Sequence, residues 1–215
     1  MIADKFSATR KNFWSDLKFI NRFARTDDRI LDYGCGNGRL LEILPSPIQY
    51  YGLDVSERLL SLAQKRYSGK SDSQLNWQKI RAFPEKLSFS DNYFDVVYSI
   101  AVFHHLPGAS YRQAVLKELK RVLKPHGYLI VTVWNLWQAR YRKRIFQNWR
   151  KKVSGKSWLD WNDCYLDFKD NQGRIFSRYH HAFTQRELKN LFQKENFSLI
   201  KAEKISGNII AIGQK

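Results

Sequence analysis

The residues best able to do chemistry stand in one glycine-rich run, Leu31-Asp32-Tyr33-Gly34-Cys35-Gly36-Asn37-Gly38-Arg39. Glycine lets the backbone turn sharply and approach a ligand more closely than any Cβ permits. The spacing is Gly-x-Gly-x-Gly. A dinucleotide fingerprint would need glycine where Arg39 stands, and a P-loop would need a Gly-Lys-Ser/Thr that does not follow. Asp32 narrows the ligand further, because a carboxylate there repels a pyrophosphate and suits a cation or an ammonium group. A second acid closes Tyr50-Tyr51-Gly52-Leu53-Asp54-Val55-Ser56. Asp54 is placed to accept hydrogen bonds from both hydroxyls of a ribose. The alternative is that Asp54 merely precedes a helix opened by Ser56 and Glu57.

Two histidine clusters and several arginines complete the set. His104-His105 follow the run 94–99, and Tyr179-His180-His181 follow Arg178. His104 either lines an acceptor pocket and takes a proton, or caps a strand end while its neighbour is packed. No carboxylate or cysteine sits at ligand spacing from these histidines, so no metal site is expected. Cys35 and Cys164 are the two cysteines, too few for a disulfide framework, and Cys35 suits the glycine loop by its small size.

These motifs must be held by a framework, and the apolar pattern supplies one. Strand-like runs fall at 29–33, 48–53, 75–78, 94–99 and 128–134, with helical patterns at 39–44, 56–67 and 110–123 between them. Phe13, Leu17, Ile20 and Ala24 recur at helical spacing ahead of the first strand. The tail reads as a helix over 184–196 and strands at 197–204 and 208–213. Alternation of this kind predicts an α/β fold, a doubly wound and mostly parallel seven-stranded sheet closed by a C-terminal antiparallel hairpin. One domain over residues 1–215 is expected, with an insertion at about 137–183.

The chain has 215 residues, 43% of them hydrophobic and 15% aromatic, which suits a packed core and not a disordered tail. No apolar run approaches the roughly 20 residues of a membrane span, and charges within residues 1–20 exclude a signal-peptide core. A cytoplasmic location is expected. Lys plus Arg number 37 against 20 acids, a formal charge of +17 that favours a polyanionic partner or else reflects a solvated basic surface. The excess concentrates at Arg140, Arg142, Lys143, Arg144, Arg150, Lys151, Lys152 and Lys156, interleaved with Trp137, Tyr141, Phe146, Trp149 and Trp158. A basic and aromatic face is what a phosphate backbone with unstacked bases requires; the alternative is a helix that packs its aromatics and merely solvates its charges.

The chain resembles the class I S-adenosylmethionine-dependent methyltransferases from about Phe6 to Gly213. The resemblance rests on the glycine run, on Asp54, on Phe94-Asp95-Val96-Val97-Tyr98-Ser99, and on Arg121-Val122-Leu123-Lys124-Pro125-His126-Gly127, where His126 replaces the usual second glycine. It implies S-adenosylmethionine as cofactor, with Asp32 near its amino group and Asp54 on its ribose. Gly34, Gly36, Gly38, Val55, Ala82, Ser99 and Ile100 complete the expected cofactor contacts. Arg81-Ala82-Phe83-Pro84 departs from the family, which often places an acid there against the adenine amino group. Within the class, Phe6-Ser7-Ala8-Thr9-Arg10 with Trp14, Ser99 to Leu106, Val133-Trp134-Asn135, Arg178 to Phe183 and Ser206-Gly207-Asn208 resemble the wobble-uridine tRNA carboxymethyl methyltransferases. That implies methyl esterification of 5-carboxymethyluridine in tRNA, and a small zinc-ribbon activator protein as a possible partner. A carboxylate acceptor is already anionic and needs a cationic clamp in place of a base. Arg10, Arg178 and Arg144 are the candidates, with His104, Tyr179 and His181 beside them. The rival readings are a small-molecule O- or N-methyltransferase and a non-catalytic RNA-binding subunit of the same fold.

Overall fold

A computed structural model describes residues 2–9, 12–70, 72–81, 86–170 and 172–215 of the chain. Arg10 and Ala82 lie outside the described residues. Five strands run parallel at the centre: β1 (Arg29–Tyr33), β2 (Gln49–Asp54), β3 (Gln74–Lys79), β4 (Phe94–Ile100) and β5 (Leu123–Trp134). Two more, β8 (Ser198–Ile205) and β9 (Asn208–Gln214), form the closing hairpin, and β9 lies antiparallel on β5. The seven-stranded order is β3-β2-β1-β4-β5-β9-β8. This is the doubly wound sheet expected from the alternation of runs.

Strands covered on both faces must be apolar on both faces, and β1, β4 and β5 read that way. Ile30, Leu31, Val97, Tyr98, Leu129 and Ile130 are all fully buried. One face carries α3 (Ala109–Val122) and α5 (Gln185–Lys194), with Leu116, Leu119, Leu188 and Phe192 in its core. The other carries Leu17, Ile20, Leu40 and Leu41 from two 3-10 segments. The helix α2 (Glu57–Tyr67) follows β2, and the Ser56 hydroxyl caps it by accepting the Leu59 amide.

Two segments expected as α-helix are 3-10 helix instead, over Ser15–Phe23 and Arg39–Glu42. In the first, Trp14, Leu17, Ile20 and Phe23 recur every third residue and pack on one core, which is the 3-10 period. In the second, Pro45 disfavours α geometry at Leu44, so the turn has no room to lengthen.

The region 137–183 contains a helix, α4 (Ala139–Val153), and a two-stranded sheet that the sequence pattern did not suggest, β6 (Asp163–Lys169) with β7 (Ile175–His181). These elements build a small core of their own. Leu136, Ile145, Cys164, Leu166 and Ala182 are buried there, with Trp137, Tyr141 and Trp149 packed against them.

Candidate active site

Parallel registers bring the chemistry together. Asp32 pairs with Gly52 and Tyr33 with Leu53, so β1 and β2 end side by side. The turn after β1 is pinned there, because the amides of Gly34 and Cys35 both donate to the Leu53 carbonyl, at 2.7 and 2.9 Å. Gly34 holds φ +80°, and a Cβ on it would stand 2.3 Å from a Val102 methyl. The Gly36 amide donates to Asp54 Oδ2 at 2.8 Å and the Ser56 amide to Oδ1 at 2.8 Å. Asp54 is therefore fixed at the rim of the glycine turn and is not a simple helix-preceding residue.

A cavity of about 570 Å³ opens at these strand ends, within the range of about 300–1,000 Å³ usual for ligand sites. Asp32, Gly34, Gly36, Asp54, Val55 and Ile100 line it. Asp32 is almost wholly buried and accepts a 2.7 Å bond from the Tyr50 hydroxyl. Burial pushes its carboxyl up to about 7, against the Tyr50 bond, with the Asp54 charge adding to the rise. Burial also raises Asp54, opposed by the amides of Ser56, Gly36 and Val55. The Cys35 thiol is driven well above its ordinary value by burial and cannot serve as a nucleophile. Two expected contacts fall outside the cavity. Ser99 is fully buried beneath its wall. Gly38 serves packing, because a Cβ there would meet the Trp77 ring at 2.7 Å. Over the mouth, the Arg39 guanidinium lies 3.5 Å from the Trp14 ring centroid, and the helix α1 (Ile2–Thr9) is tied to the glycine turn by the Asn37 amide donating to Ser7 Oγ at 3.2 Å.

The far end of the cavity is lined by His105, Trp134, Arg178 and Tyr179. The Arg178 guanidinium is half-buried above the Phe168 ring at 5.4 Å, and among the described residues it makes no ion pair. Burial pushes its pKa down, and the Asp54 charge partly offsets this.

It is His105, and not His104, that faces the cavity. His104 is fully buried, its ring stacked on Trp134 at 5.0 Å, and burial drives its pKa well below the ordinary value. The ligand nitrogens of His104, His105 and His180 lie within 4.8 Å of one another. Their protons decide what they can hold. His180 Nδ1 donates to the Arg178 carbonyl at 2.9 Å and His105 Nδ1 to the Tyr179 carbonyl at 3.3 Å, so in its neutral form His180 keeps a lone pair on its buried Nε2. His104 Nδ1 instead accepts the Trp134 amide at 3.3 Å, so its Nε2 carries the proton. Three metal ligands need three lone pairs, and the proton on His104 Nε2 leaves that atom without one. His181 is also away from the cavity. Its Nδ1 meets Asp163 Oδ1 and its Nε2 meets Glu187 Oε1, both at 2.7 Å. Burial works against its charge, but the two carboxylates hold its pKa above the ordinary value.

The glycine turn, paired acids and strand-end cavity agree with what the chain is similar to. The family description "Methyltransferase domain" matches residues 31–131. A crystal structure of a SAM-dependent methyltransferase from Methanosarcina mazei superposes with a TM-score of 0.74 at 25% identity, covering 95% of this chain and 98% of that one. A curated Arabidopsis thaliana protein, a tRNA (carboxymethyluridine(34)-5-O)-methyltransferase, is 33% identical over 133 residues, 62% of this chain and 30% of its own length. The chain is a class I S-adenosylmethionine-dependent methyltransferase. It spans about 30% of the length of that plant relative. A chain from the complex of the Haloferax volcanii Trm112 methyltransferase activator with a methyltransferase shares the fold, with a TM-score of 0.64 at 16% identity over 99% of this chain and 93% of that one.

The methyltransferase's own residues fit this cofactor. The buried Asp32 carboxylate suits an ammonium group, and the Asp54 carboxylate on the cavity wall suits hydroxyl donors. Ile80 and Arg81 also line the cavity. The basic stretch divides by role. Arg140, Arg142, Lys143, Arg144, Arg150 and Lys151 are exposed on α4. Arg144 pairs with Asp167 at 2.9 Å, and half-buried Lys152 donates to the Leu159 carbonyl at 2.7 Å, so both help to close the insertion. Phe146, Trp158 and Trp161 stay exposed, with Trp158 at 82%. Among the described residues no helix is long and apolar enough to cross a membrane.

Proposed function

We propose that this methyltransferase acts on tRNA and esterifies the carboxylate of 5-carboxymethyluridine at the wobble position. Arg178 carries the reading. A half-buried guanidinium without an ion pair among the described residues, at the acceptor end of a cofactor cavity, calls for an anionic partner with planar geometry. The plant relative, a tRNA (carboxymethyluridine(34)-5-O)-methyltransferase, acts on a uridine that carries such a carboxylate.

The bound cofactor supplies an electrophilic methyl group on a sulfonium. The chain's contribution is positioning and electrostatics. Arg178 aligns the acceptor carboxylate, and Tyr179 and Trp134 form the wall beside it. A carboxylate needs no general base, which agrees with a neutral, buried His104. Arg140, Arg142, Lys143, Arg150 and Lys151 hold the phosphate backbone, and Trp158 and Phe146 offer faces for unstacked bases. Arg144 and Lys152 shape that surface from within. A small zinc-ribbon activator is the proposed protein partner, as a distant chain of this fold assembles with the Trm112 activator. Two buried free thiols, Cys35 and Cys164, suit a reducing compartment, and we assign the activity to the cytoplasm.

Anticodon stem-loop RNAs that differ only at the wobble uridine test this. Transfer of labelled methyl to the 5-carboxymethyl RNA, and none to the unmodified RNA, is expected. Equal labelling of both would remove the carboxylate from the mechanism.

A further inference from the structure

Beneath the acceptor end lies a buried group of charges drawn from four elements. Asp163 of β6 is 3% exposed, His181 of β7 is 3% exposed, and Arg112 of α3 is 3% exposed. Glu187 comes from the first turn of α5, whose cap is the Thr184 hydroxyl accepting the Glu187 amide at 3.1 Å. His181 gives one ring nitrogen to each carboxylate at 2.7 Å. Carboxylates only accept, so both ring nitrogens must donate, and His181 is an imidazolium. Arg112 Nη2 stands 3.9 Å from the same Glu187 oxygen, and its Nη1 donates to the Leu106 carbonyl at 3.0 Å. Two cations thus face two anions; three of these charges are buried, the Glu187 side chain is 33% exposed, and the set is neutral as a whole. His104, from the turn after β4, also stands close to His181 and is neutral, and the Tyr179 hydroxyl shares the Asp163 oxygen.

This group leads directly to the cavity wall. The Tyr179 hydroxyl donates to Asp163 Oδ1 at 2.8 Å, the oxygen that also receives His181. Arg112 stands against the same hydroxyl. The Tyr179 carbonyl accepts from His105, and Arg178 is the preceding residue on β7. Three of the four acceptor-end side chains therefore hang on the position of one strand. That strand belongs to the inserted hairpin, and His181 is its last residue.

We propose that His181 is a positioning residue, whose imidazolium, bridging Asp163 and Glu187, locks β7 so that Arg178, Tyr179 and His105 meet the acceptor. The role assigned to Arg178 rests on the reading of the substrate given above; the charged lock itself does not. Loss of the proton from His181 removes a donor from one carboxylate and leaves an uncompensated negative charge in a buried site. The arrangement should then relax at the acceptor end while the cofactor end, built on β1 and β2, stays intact.

Two measurements decide this. Nitrogen-15 spectra of the full chain, recorded against pH, read the protonation of His181 without any acceptor. The expected result is two protonated ring nitrogens at pH 7, with deprotonation moving down by about one pH unit or more in Glu187→Gln, since removing an adjacent charge typically shifts a pKa by that much. Methyl transfer to 5-carboxymethyl stem-loop RNA then compares His181→Gln with wild type. A rise of about tenfold or more in acceptor KM is expected, with S-adenosylhomocysteine affinity unchanged within about twofold. Glu187→Gln should raise acceptor KM in the same sense and Glu187→Asp by less, and wild-type acceptor KM should rise at the pH where His181 titrates. A singly protonated His181 at pH 7, or parallel losses of cofactor and acceptor affinity, would overturn the lock. If wild type transfers nothing to the RNA, the substrate reading fails while the nitrogen spectra still decide the charge on His181.

Discussion

Asp32 makes a quantitative test of the cofactor end. Its carboxyl sits at about 7 in the free protein, and binding of an ammonium requires the ionised form. The apparent dissociation constant then scales as one plus the ratio of protonated to ionised Asp32, which is about 2 at pH 7 and about 11 at pH 6. Titration calorimetry with S-adenosylhomocysteine, which carries the same ammonium, should show affinity falling about tenfold from pH 8 to pH 6. In buffers of different ionisation enthalpy, binding at pH 6 should release about 0.9 proton. Asp32→Asn should bind about 10–100-fold more weakly at pH 8, the usual cost of losing a hydrogen bond to a charged group, and should lose most of the pH dependence. The stability effect has the opposite sense. A carboxyl raised from 3.8 to about 7 stabilises the free fold below the lower value, and that contribution is lost as pH rises to the upper one. The thermal shift produced by the ligand should therefore be larger at pH 8 than at pH 6. An affinity constant within twofold across this range, or a pH dependence that survives in Asp32→Asn, would refute the reasoning.

Arg178→Lys keeps the charge and loses the planar fork, so kcat/KM for the carboxylate acceptor should fall about 10–100-fold while cofactor affinity holds within about threefold; equilibrium binding and initial rates separate the two. Replacing Arg142, Lys143, Arg150 and Lys151 by Gln should flatten the slope of log affinity for tRNA against log salt by about 3, read by filter binding, without changing cofactor affinity. Gly34→Ala forces a side chain into φ +80° with a Cβ 2.3 Å from Val102, and should destabilise the protein by about 2–4 kcal/mol in urea melts.

The cofactor end was largely legible in the sequence because its signals are local. A glycine turn and an acid at the end of each of two successive parallel strands need only register to meet, and the register of β1 with β2 follows from burial on both faces. The acceptor end was not legible in the same way. His104 and His105 are adjacent in sequence, but the 3-10 turn over Phe103–His105 breaks the strand alternation that would have said which ring faces the cavity. Trp14 and Arg39 reach the mouth through tertiary packing that no spacing encodes. The hairpin β6–β7 escaped notice because its period-2 pattern is mixed, with Tyr165, Ile175 and Phe176 exposed and Asp163 and His181 buried. Those buried charges belong to the lock beneath Tyr179, so local pattern and final structure part company where function adds a constraint. The aromatics of the basic stretch divided for a related reason. Tyr141 and Trp149 fall toward the small core and Phe146 does not, a distinction that depends on which face of α4 meets β6, while Trp137 and Trp158 lie beyond the ends of that helix.

The central claim is a methyl ester made on a tRNA uridine. Undermodified tRNA incubated with the purified protein, labelled S-adenosylmethionine and a zinc-ribbon activator can be digested to nucleosides and resolved by mass spectrometry. The account predicts label in the methyl ester of 5-carboxymethyluridine, released by mild base and lost in Arg178→Ala. Base-stable label on any other nucleoside, or no label in tRNA with the activator present, would contradict it.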